Sequence, residues 1–408
     1  MSVFVTDGDQ RATLAVVRAL GQAGIRVTVG NSSATSLAGS SRYCAERVCY
    51  PSPVAQRTEF QSFMLAQVRD GRYRVLLPMT DITMQLVAEM RQQLGLLVRV
   101  PIPDPVQIAR AQDKREVILT AQRLGIPCPE TLMPHEEHDL ANCAKKLRYP
   151  VVIKPRLSWL LRDGKWVSGN VQFAHNVEDL IEKYHEAHML IPDPLIQEKI
   201  EGEGRGVFLL SWNGELKAAF CHRRLREKPP WGGVSVYRES IPFDADLVRE
   251  SFELLQAIEW QGPAMVEFKL DRSDGKAKLM EINGRFWGSL QLAIDAGMNF
   301  PLMLYRLANG EEVPSEFNYQ VGVKSRWLLG DLDHLLIRLK HADGRNGFSR
   351  FPTSKLQASL DFLKLYERNL HYEVFRFKDP GPGWYEWKSY ITELVGRRPP
   401  REEEPGAC

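Results

Sequence analysis

The chain has 408 residues, of which 44% are hydrophobic, so it is long enough for two or three domains with buried cores. Its 53 Lys and Arg residues nearly balance 51 Asp and Glu residues, and a net charge of +2 argues against a broad nucleic-acid footprint or a basic membrane-binding face. With no apolar run of about eighteen residues and no basic-then-apolar leader, we expect neither a membrane span nor secretion. Six cysteines without a C-x-x-C pair indicate free thiols and a cytoplasmic location.

The first hundred residues alternate strand and helix patterns. "SVFVTDGDQRATLAVVRALGQAGIRVTVGN" predicts a strand, a loop, a helix and a second strand, because a β-branched run gives way to helical spacing at Leu14, Val17 and Leu20. "RVLLPMTDITMQLVAEMRQQLG" repeats the pattern, with a strand ending near Pro78 and a helix after Asp81. An open α/β domain is therefore expected over about the first hundred residues.

The middle of the chain begins with a linker and continues with strands and hairpins. "VPIPDPVQ" contains three prolines and predicts the linker. "YPVVIKP" predicts a strand with Lys154 near its end, and "PLIQEKI" predicts another strand that leads into the glycine-broken "EGEGRG". Asn213-Gly214 and Asp274-Gly275 predict the turns of two hairpins, with a helix between them at about residues 245–259.

The second hairpin brings two carboxylates together. Strand alternation in "AMVEFKLD" places Glu267 on an open face, away from its apolar neighbours. On the returning strand Glu281 and Asn283 share a face, Met280 and Ile282 take the other, and the turn sets Glu267 opposite Glu281. Opposed carboxylates are destabilising unless a cation lies between them, and Mg²⁺ prefers oxygen ligands. The spacing therefore favours a magnesium site.

Cationic side chains accompany this site, and each has a plainer alternative. Arg285 follows Asn283 by two residues, and its planar fork suits phosphate oxygens. Lys154 at a strand end could deliver charge to a phosphate or be a solvated surface group. Arg223 and Arg224 end a basic hairpin, where a substrate or phosphate role competes with an exposed loop, and we include Arg224 among the expected cofactor contacts. The carboxylates themselves could line a solvated strand face.

The histidine pairs do not predict a metal site. His135 with His138, and His185 with His188, have the i, i+3 spacing but no third ligand. We expect surface histidines and no zinc.

The motifs "YPVVIKP", "PLIQEKIEGEGRGV", "AMVEFKLD" and "LMEINGRFWGSLQLAIDAG" occur in this chain order. Together they resemble the ATP-grasp superfamily, most closely its carboxylate-amine ligase branch, over about residues 1–310. The resemblance implies an α/β and α+β architecture in which two α+β subdomains clasp ATP. The implied units are a Rossmann-like N-terminal domain at 1–103, an ATP-grasp domain at 104–310 with subdomains at about 120–200 and 201–310, and a C-terminal extension at 311–408 with a disordered tail.

The resemblance also implies roles for individual residues. Contacts with nucleotide phosphates are implied for Lys114 and Lys154. The hinge that binds adenine is implied at Glu198, Lys199 and Ile200, with Glu203 at the ribose. Ligation of Mg²⁺ (or Mn²⁺) is implied for Glu267, Glu281 and Asn283. Catalytic contacts are implied for Arg285, at the transferred phosphoryl group, and for Lys154.

The loop after Lys154 departs from the family pattern. Many relatives have a glycine-rich loop that folds over the phosphates, whereas "RLSWLLRDGKWVSGN" contains only Gly164 and Gly169. We expect either a longer lid that uses side chains or a different way of closing the site.

The reaction implied by the resemblance activates a carboxylate as an acyl phosphate with Mg-ATP and transfers the acyl group to an amine. The expected partners are therefore small carboxylates and amines. Whether the chain forms a homodimer stays open. Two alternatives use the same residues: an ATP-grasp kinase or carboxylase component, and a non-catalytic ATP-binding module. A nicotinamide-dependent oxidoreductase is disfavoured because "TDGDQ" lacks the G-x-G-x-x-G glycines. Aromatic residues in "GPGWYEW" could pack on the core, form a dimer surface or gate the site.

Overall fold

A computed structural model of the chain describes residues 2–134, 137–145, 147–341 and 354–396. The strands are β1 (Ser2–Val5), β2 (Arg26–Asn31), β3 (Cys44–Cys49), β4 (Val75–Leu77), β5 (Thr131–Leu132), β6 (Val151–Lys154), β7 (Trp159–Arg162), β8 (Lys165–Ser168), β9 (Gln172–Ala174), β10 (Leu195–Glu198), β11 (Gly202–Trp212), β12 (Glu215–Lys228), β13 (Val234–Ser240), β14 (Gly262–Asp271), β15 (Ala277–Asn283), β16 (Lys324–Arg326) and β17 (Leu370–Tyr372).

The helices complete the architecture, together with a short 3₁₀ turn at Ala38–Ser40. They are α1 (Arg11–Gln22), α2 (Arg57–Val68), α3 (Asp81–Glu89), α4 (Arg91–Gly95), α5 (Pro105–Gln112), α6 (Lys114–Arg123), α7 (Glu137–Ala144), α8 (Val177–Leu190), α9 (Ala245–Ala257), α10 (Leu290–Asp295), α11 (Phe300–Ala308), α12 (Leu328–Lys340), α13 (Lys355–Leu363) and α14 (Gly381–Leu394). Among the described residues, none of these helices is long and apolar enough to cross a bilayer.

The N-terminal region is a parallel sheet in the order β3-β2-β1-β4. The predicted strand, helix and strand at its start are confirmed as β1, α1 and β2, and the predicted second unit is confirmed as β4 and α3. Thr80 begins α3 with a capping box, in which its hydroxyl accepts from the Thr83 amide. The carboxyl ends of β1 and β4 therefore meet at one edge of the sheet, beside the start of α3.

Two further sheets carry the expected nucleotide contacts. A four-stranded antiparallel sheet in the order β5-β10-β6-β9 packs on α7 and α8 around its own core. The segment after β6 forms a two-stranded hairpin of β7 and β8, so the loop with few glycines is an ordered hairpin. A seven-stranded sheet in the order β15-β14-β11-β12-β13-β16-β17 forms the centre of the chain.

Both faces of the seven-stranded sheet are covered. Val207 and Val266 lie in a core that includes Phe4 of the N-terminal sheet, and Phe208 and Trp287 lie in a second core shared with α1. Two separate cores therefore join this sheet to the N-terminal sheet.

Two local expectations for the seven-stranded sheet are wrong. The glycines of "EGEGRG" predicted an interruption between two strands, but the segment after Glu201 lies within β11, which pairs with β14 from Gly202 onward. The register of β14 and β15 shifts next to Glu267, so that Phe268 pairs with Leu279. As a result Leu279, and not Met280, joins Ile282 in the core, because the extra residue of a β-bulge inverts the alternation.

The C-terminal extension is tied to the N-terminal domain through a buried carboxylate. Asp379 accepts hydrogen bonds from Arg18 Nε, Ser41 Oγ and the Arg42 amide, each at 2.8 Å. Arg18 and Asp379 are 4% and 2% exposed, and burial lowers the pKa of Arg18, an effect that Asp379 opposes. The predicted disordered tail lies, from residue 397 onward, outside the described residues.

We expect Asp379→Ala to lower the free energy of unfolding by about 3–5 kcal/mol, because it leaves the Arg18 charge buried without its carboxylate. Urea denaturation measures the change. The control is Glu311→Ala, which removes a half-exposed ion pair with Arg306 and should cost under about 1 kcal/mol. Equal losses in the two variants would contradict the buried anchor.

Candidate active site

A cavity of about 510 Å³ lies where four parts of the chain meet. Its wall includes Tyr50 of the N-terminal domain, Trp159 of the β7–β8 hairpin, Arg224 and Arg285 of the central sheet region, and Trp327 of the C-terminal extension. Pockets of this size at domain junctions are typical of small-molecule sites.

The predicted carboxylate pair lies at one side of this cavity region. Glu267 pairs directly with Glu281 in the register of β14 and β15, which confirms their predicted juxtaposition. The open strand face predicted for Glu267 is wrong, because Glu267 is 0% exposed and Glu281 is 7% exposed. The alternative of a solvated strand face is therefore wrong as well.

Arg224 reaches Glu267 across an intervening strand. The guanidinium donates Nη2 to Glu267 Oε2, and Nη1 to Glu227 Oε1 at 3.0 Å. The intervening strand has no side chain at Gly204, where an added Cβ would lie 2.8 Å from Arg224 Cδ. A glycine at this position therefore leaves room for the arginine to lie flat on the sheet. The exposed-loop alternative for Arg224 is wrong, since the residue is in β12 and 9% exposed.

The pKa values of Glu267 and Arg224 depend on each other. Burial raises the pKa of Glu267, and Glu281 adds to the rise, whereas Arg224 opposes it. Burial works in the other direction on Arg224, but Glu267 and Glu227 outweigh it and raise its pKa. A second cation beside Glu267 would favour the carboxylate further.

The residues present fit a magnesium ion. Glu267 Oε1 is buried and has no hydrogen-bond partner within the described ranges, so it is an acceptor in need of a cation or donor. Asn283 donates Nδ2 to Glu281 Oε1 at 3.0 Å, and this hydrogen bond holds the two side chains together beside Glu267. The described residues contain no group of three or more His, Cys, Asp or Glu side chains suited to a metal. Mg²⁺ commonly binds through one or two carboxylates and completes its shell with waters and substrate phosphates.

Arg285 lies at the cavity wall and is positioned by the N-terminal domain. Its Nε lies 3.2 Å from Asp81 Oδ2, at the start of α3, and its side chain is 13% exposed. Arg285, Asn283 and Arg224 line the same cavity. The structure therefore brings these three predicted residues together, next to the carboxylate pair.

Of the two predicted lysines, Lys114 lines a cavity with predicted metal ligands, whereas Lys154 lines neither that cavity nor the large one. Lys154 ends β6 as predicted and is 6% exposed, so the surface-lysine alternative is wrong. Lys114 begins α6 and donates to Ser158 Oγ at 3.0 Å, just before the β7–β8 hairpin. Lys114, Glu281 and Asn283 line one small cavity of about 30 Å³.

The β7–β8 hairpin is held down at its base. Arg156 donates Nε and Nη2 to Asp113 Oδ2 at 2.8 and 2.6 Å, and Asp113 caps α6. Trp159 and Trp166 of the hairpin pack against the core beneath it. Side chains therefore hold the hairpin in place, and its expected closure over the phosphates stays a prediction.

The predicted hinge residues Glu198, Lys199 and Ile200 line neither of the two cavities described above. Ile200 is buried, and Glu198 Oε1 accepts from Lys278 Nζ and the Glu130 amide, both at 3.0 Å. Lys199 Nζ lies 3.1 Å from Glu201 Oε1.

Glu203 differs from the other hinge residues. It contacts Arg205 and Arg223, on the sheet face opposite Arg224 by strand alternation. Its predicted ribose contact gains no support from this arrangement.

His222 and Arg238 were not predicted and belong to the same cavity. Both are 1% exposed. The His222 ring lies over Gly206 of β11, where a Cβ added to the glycine would be 2.7 Å from His222 Nε2. Neither ring nitrogen of His222 has a hydrogen-bond partner in the described part of the chain. Burial lowers the pKa of His222 well below its ordinary value, and Arg224 and Arg238 add to this effect.

Of the predicted surface histidines, His185 and His188 lie on α8, where His188 stacks on Tyr184. His135 lies outside the described residues, as does the side chain of His138. The predicted absence of a zinc site involving those two stays a prediction.

Comparisons with known proteins agree with this architecture. A family model described as ATP-grasp in the biosynthetic pathway with Ter operon matches residues 191–329. The large chain of carbamoyl phosphate synthase from Pyrococcus furiosus is 25% identical over 186 residues, which are 44% of this chain and 16% of that protein. The match thus spans about a sixth of that relative.

Solved structures are similar over most of the chain. A biotin carboxylase–β,γ-ATP complex from Campylobacter jejuni has a TM-score of 0.63 at 14% identity, over 79% of this chain and 74% of that one. The N5-carboxyaminoimidazole synthetase of Staphylococcus aureus gives 0.61 at 14%, over 79% and 80%. The L-amino acid ligase of Bacillus licheniformis gives 0.58 at 16%, over 76% and 75%. The chain therefore has the ATP-grasp fold, and its resemblance to that superfamily is confirmed.

We expect the stability of the protein to depend on pH through His222. Because folding lowers the pKa of His222, the unfolded chain binds a proton below about pH 6.5 that the folded chain does not. Stability should therefore fall below that pH, by up to about 1.4 kcal/mol per pH unit from this residue. Urea denaturation at pH 7.5 and 5.5 should show a smaller loss for His222→Gln than for the unchanged protein. If the pH-dependent loss in His222→Gln equals that in His185→Gln, a substitution at an exposed position of α8, then the pH dependence does not come from His222.

Proposed function

We propose that the protein is an ATP-dependent carboxylate-amine ligase. The observation that carries the proposal is the buried, directly opposed pair Glu267 and Glu281, with an unpartnered acceptor on Glu267, beside Arg224 and Arg285 at the edge of a large cavity. Two buried carboxylates flanked by arginines suit an anion with a bound cation better than they suit any core role. The ATP-grasp fold supports a nucleotide as that anion.

The proposed reaction has two steps. An oxygen of the substrate carboxylate attacks the γ-phosphorus of ATP, the bond to the β–γ bridging oxygen breaks, and ADP leaves. An amine nitrogen then attacks the acyl carbon of the resulting acyl phosphate, the acyl C–O bond breaks, and phosphate leaves as the nitrogen loses a proton to solvent. No side-chain nucleophile is needed, so the residues mainly position groups and stabilise charge.

Individual residues have distinct proposed roles. Glu267, Glu281 and Asn283 would hold Mg²⁺ or Mn²⁺, which neutralises phosphate charge when bound. Arg285, positioned by Asp81, would bind the transferred phosphoryl group. Lys154 would contribute a second cation to the phosphates.

The remaining contacts in the proposal concern the rest of the nucleotide and the lid. Lys114 would exchange its hydrogen bond to Ser158 for a phosphate oxygen, which couples the hairpin to nucleotide binding. Glu198, Lys199 and Ile200 would form the adenine hinge. Arg224 would contact both the metal-bound carboxylate and the substrate.

A carboxylase component is the second candidate, since biotin carboxylases and N5-carboxyaminoimidazole synthetases share the fold. The two candidates differ in the acid that is activated, which is an organic carboxylate for the ligase and bicarbonate for the carboxylase component. A requirement for bicarbonate would favour the carboxylase instead.

We expect Glu281→Gln to lower ADP release by about a hundredfold while the protein stays folded, because it removes a charged ligand from the metal. The assay follows ADP formed from Mg-ATP with carboxylic acids and amines presented singly and in pairs. Glu186→Gln, on the exposed face of α8, is the matched control and should release ADP normally.

Unchanged ADP release by a folded Glu281→Gln variant would refute the metal assignment. Release that needs a carboxylic acid and rises with one particular amine would establish the ligase. Binding of Mg-ATP without ADP release, for every acceptor offered, would favour the non-catalytic module.

A further inference from the structure

The floor of the large cavity has hydrogen-bond donors without acceptors. Arg224 Nε, Arg238 Nε, Ser235 Oγ and Trp287 Nε1 are buried and have no partner among the residues described, and all four residues line the cavity. Each is at most 9% exposed. Leaving a buried donor without an acceptor is unfavourable, so four together indicate a site for an acceptor-rich group.

The two arginines of the floor pair with carboxylates through their Nη atoms, Arg224 with Glu227 and Glu267 and Arg238 with Glu373, so their Nε–H groups are the donors left for a ligand. Arg224 and Arg238 are cross-strand partners in the register of β12 and β13, and like charges in that position repel. Burial lowers the pKa of Arg238 to about 10, although Glu373 opposes this effect. A bound carboxylate would accept from the free N–H groups.

Part of the remaining wall is apolar, although Asp9, Asn31 and Thr80 also line the cavity. Val54 and Ile82 lie there, together with the rings of Tyr50, Trp159 and Trp327. The Tyr50 hydroxyl is engaged by Asp7, and Trp327 donates Nε1 to Glu386 at 2.7 Å. These two residues therefore offer ring surface to a ligand, since their polar atoms have partners already.

The C-terminal extension fixes Trp327 in this wall. The Arg11 guanidinium lies 3.9 Å from the centre of the Trp327 ring, and Arg11 also pairs with Glu373 at 2.8 Å. An added Cβ on Gly330 would lie 2.2 Å from the ring, so the helix that follows packs tightly against it. A side chain held on several sides is suited to selecting the shape of a ligand.

We propose that the cavity binds a carboxylic acid with a ring-sized apolar body, its carboxylate on the floor at Arg224, Ser235 and Arg238, and its body against Trp159 and Trp327. This inference rests on the proposed ligase function for the fate of the acid, and it adds the class of acid. Trp327 is then a specificity-determining residue supplied by the C-terminal extension.

The test measures binding by calorimetry, with Mg²⁺ and a non-hydrolysable ATP analogue present. The probes are 3-phenylpropionate, acetate, which lacks the body, and 3-phenylpropanamide, which lacks the charge. We expect 3-phenylpropionate to bind at least roughly tenfold more tightly than either of the others, from burial of the ring and from the charged hydrogen bonds. Trp327→Ala should reduce this preference over acetate by about tenfold, and Ser235→Ala should weaken both acids.

Trp384→Ala is the matched control, because Trp384 is 67% exposed on α14 and does not line this cavity. It should leave all three affinities unchanged. Equal affinities for acetate and 3-phenylpropionate, or no binding of any probe, would overturn the inference. So would a preference that Trp327→Ala leaves intact in a folded protein.

The ADP assay separates this inference from the proposed function. Selective binding of 3-phenylpropionate without ADP release, with or without amines, supports the acid site but counts against the ligase. ADP release that depends only on small acids supports the ligase and overturns the apolar site.

Discussion

The contact between Arg224 and Glu267 is the interaction on which the arrangement of the site depends. It joins β12 to β14 across β11, and it is buried, so either charge alone would be costly. Gly204 makes it geometrically feasible, since any side chain there would meet the arginine. Glu267 in turn lies directly opposite Glu281, and Arg224 lies opposite Arg238. One ion pair thus links a pair of acids that favours a cation to a pair of arginines whose Nε–H groups are left for a ligand.

The C-terminal extension is part of this arrangement. Two of its strands, β16 and β17, continue the central sheet, and Glu373 pairs with both Arg11 and Arg238. Tyr385 reaches Asp9 of the N-terminal domain at 3.1 Å, whereas Trp384 points to solvent. Of the three roles considered for the aromatic residues of "GPGWYEW", core packing is therefore confirmed for Tyr385. The dimer and gating roles stay untested.

The sequence predicted local features well where one periodicity was decisive. The first βαβ unit, both hairpins, the end of β6 at Lys154 and the opposition of Glu267 to Glu281 follow from alternation and turn residues. The burial of Glu267 could not be predicted, because its contact with Arg224 comes from a strand two positions away in the sheet, and alternation within one hairpin does not include it. His222 and Arg238 were missed because a histidine beside two arginines resembles an exposed basic strand. Their register with Gly206 and Arg224 would have been the indication, and register between distant strands requires the fold.

The most direct test of the metal site is a crystal structure of the protein with Mn²⁺ and a non-hydrolysable ATP analogue, recorded at the manganese absorption edge. We predict an anomalous peak within coordinating distance of carboxylate oxygens of both Glu267 and Glu281, about 2.0–2.3 Å away, with the nucleotide phosphates completing its shell and Arg285 at the terminal phosphate. A bound nucleotide whose manganese lies away from both carboxylates, with Arg224 still closing over Glu267, would contradict the account.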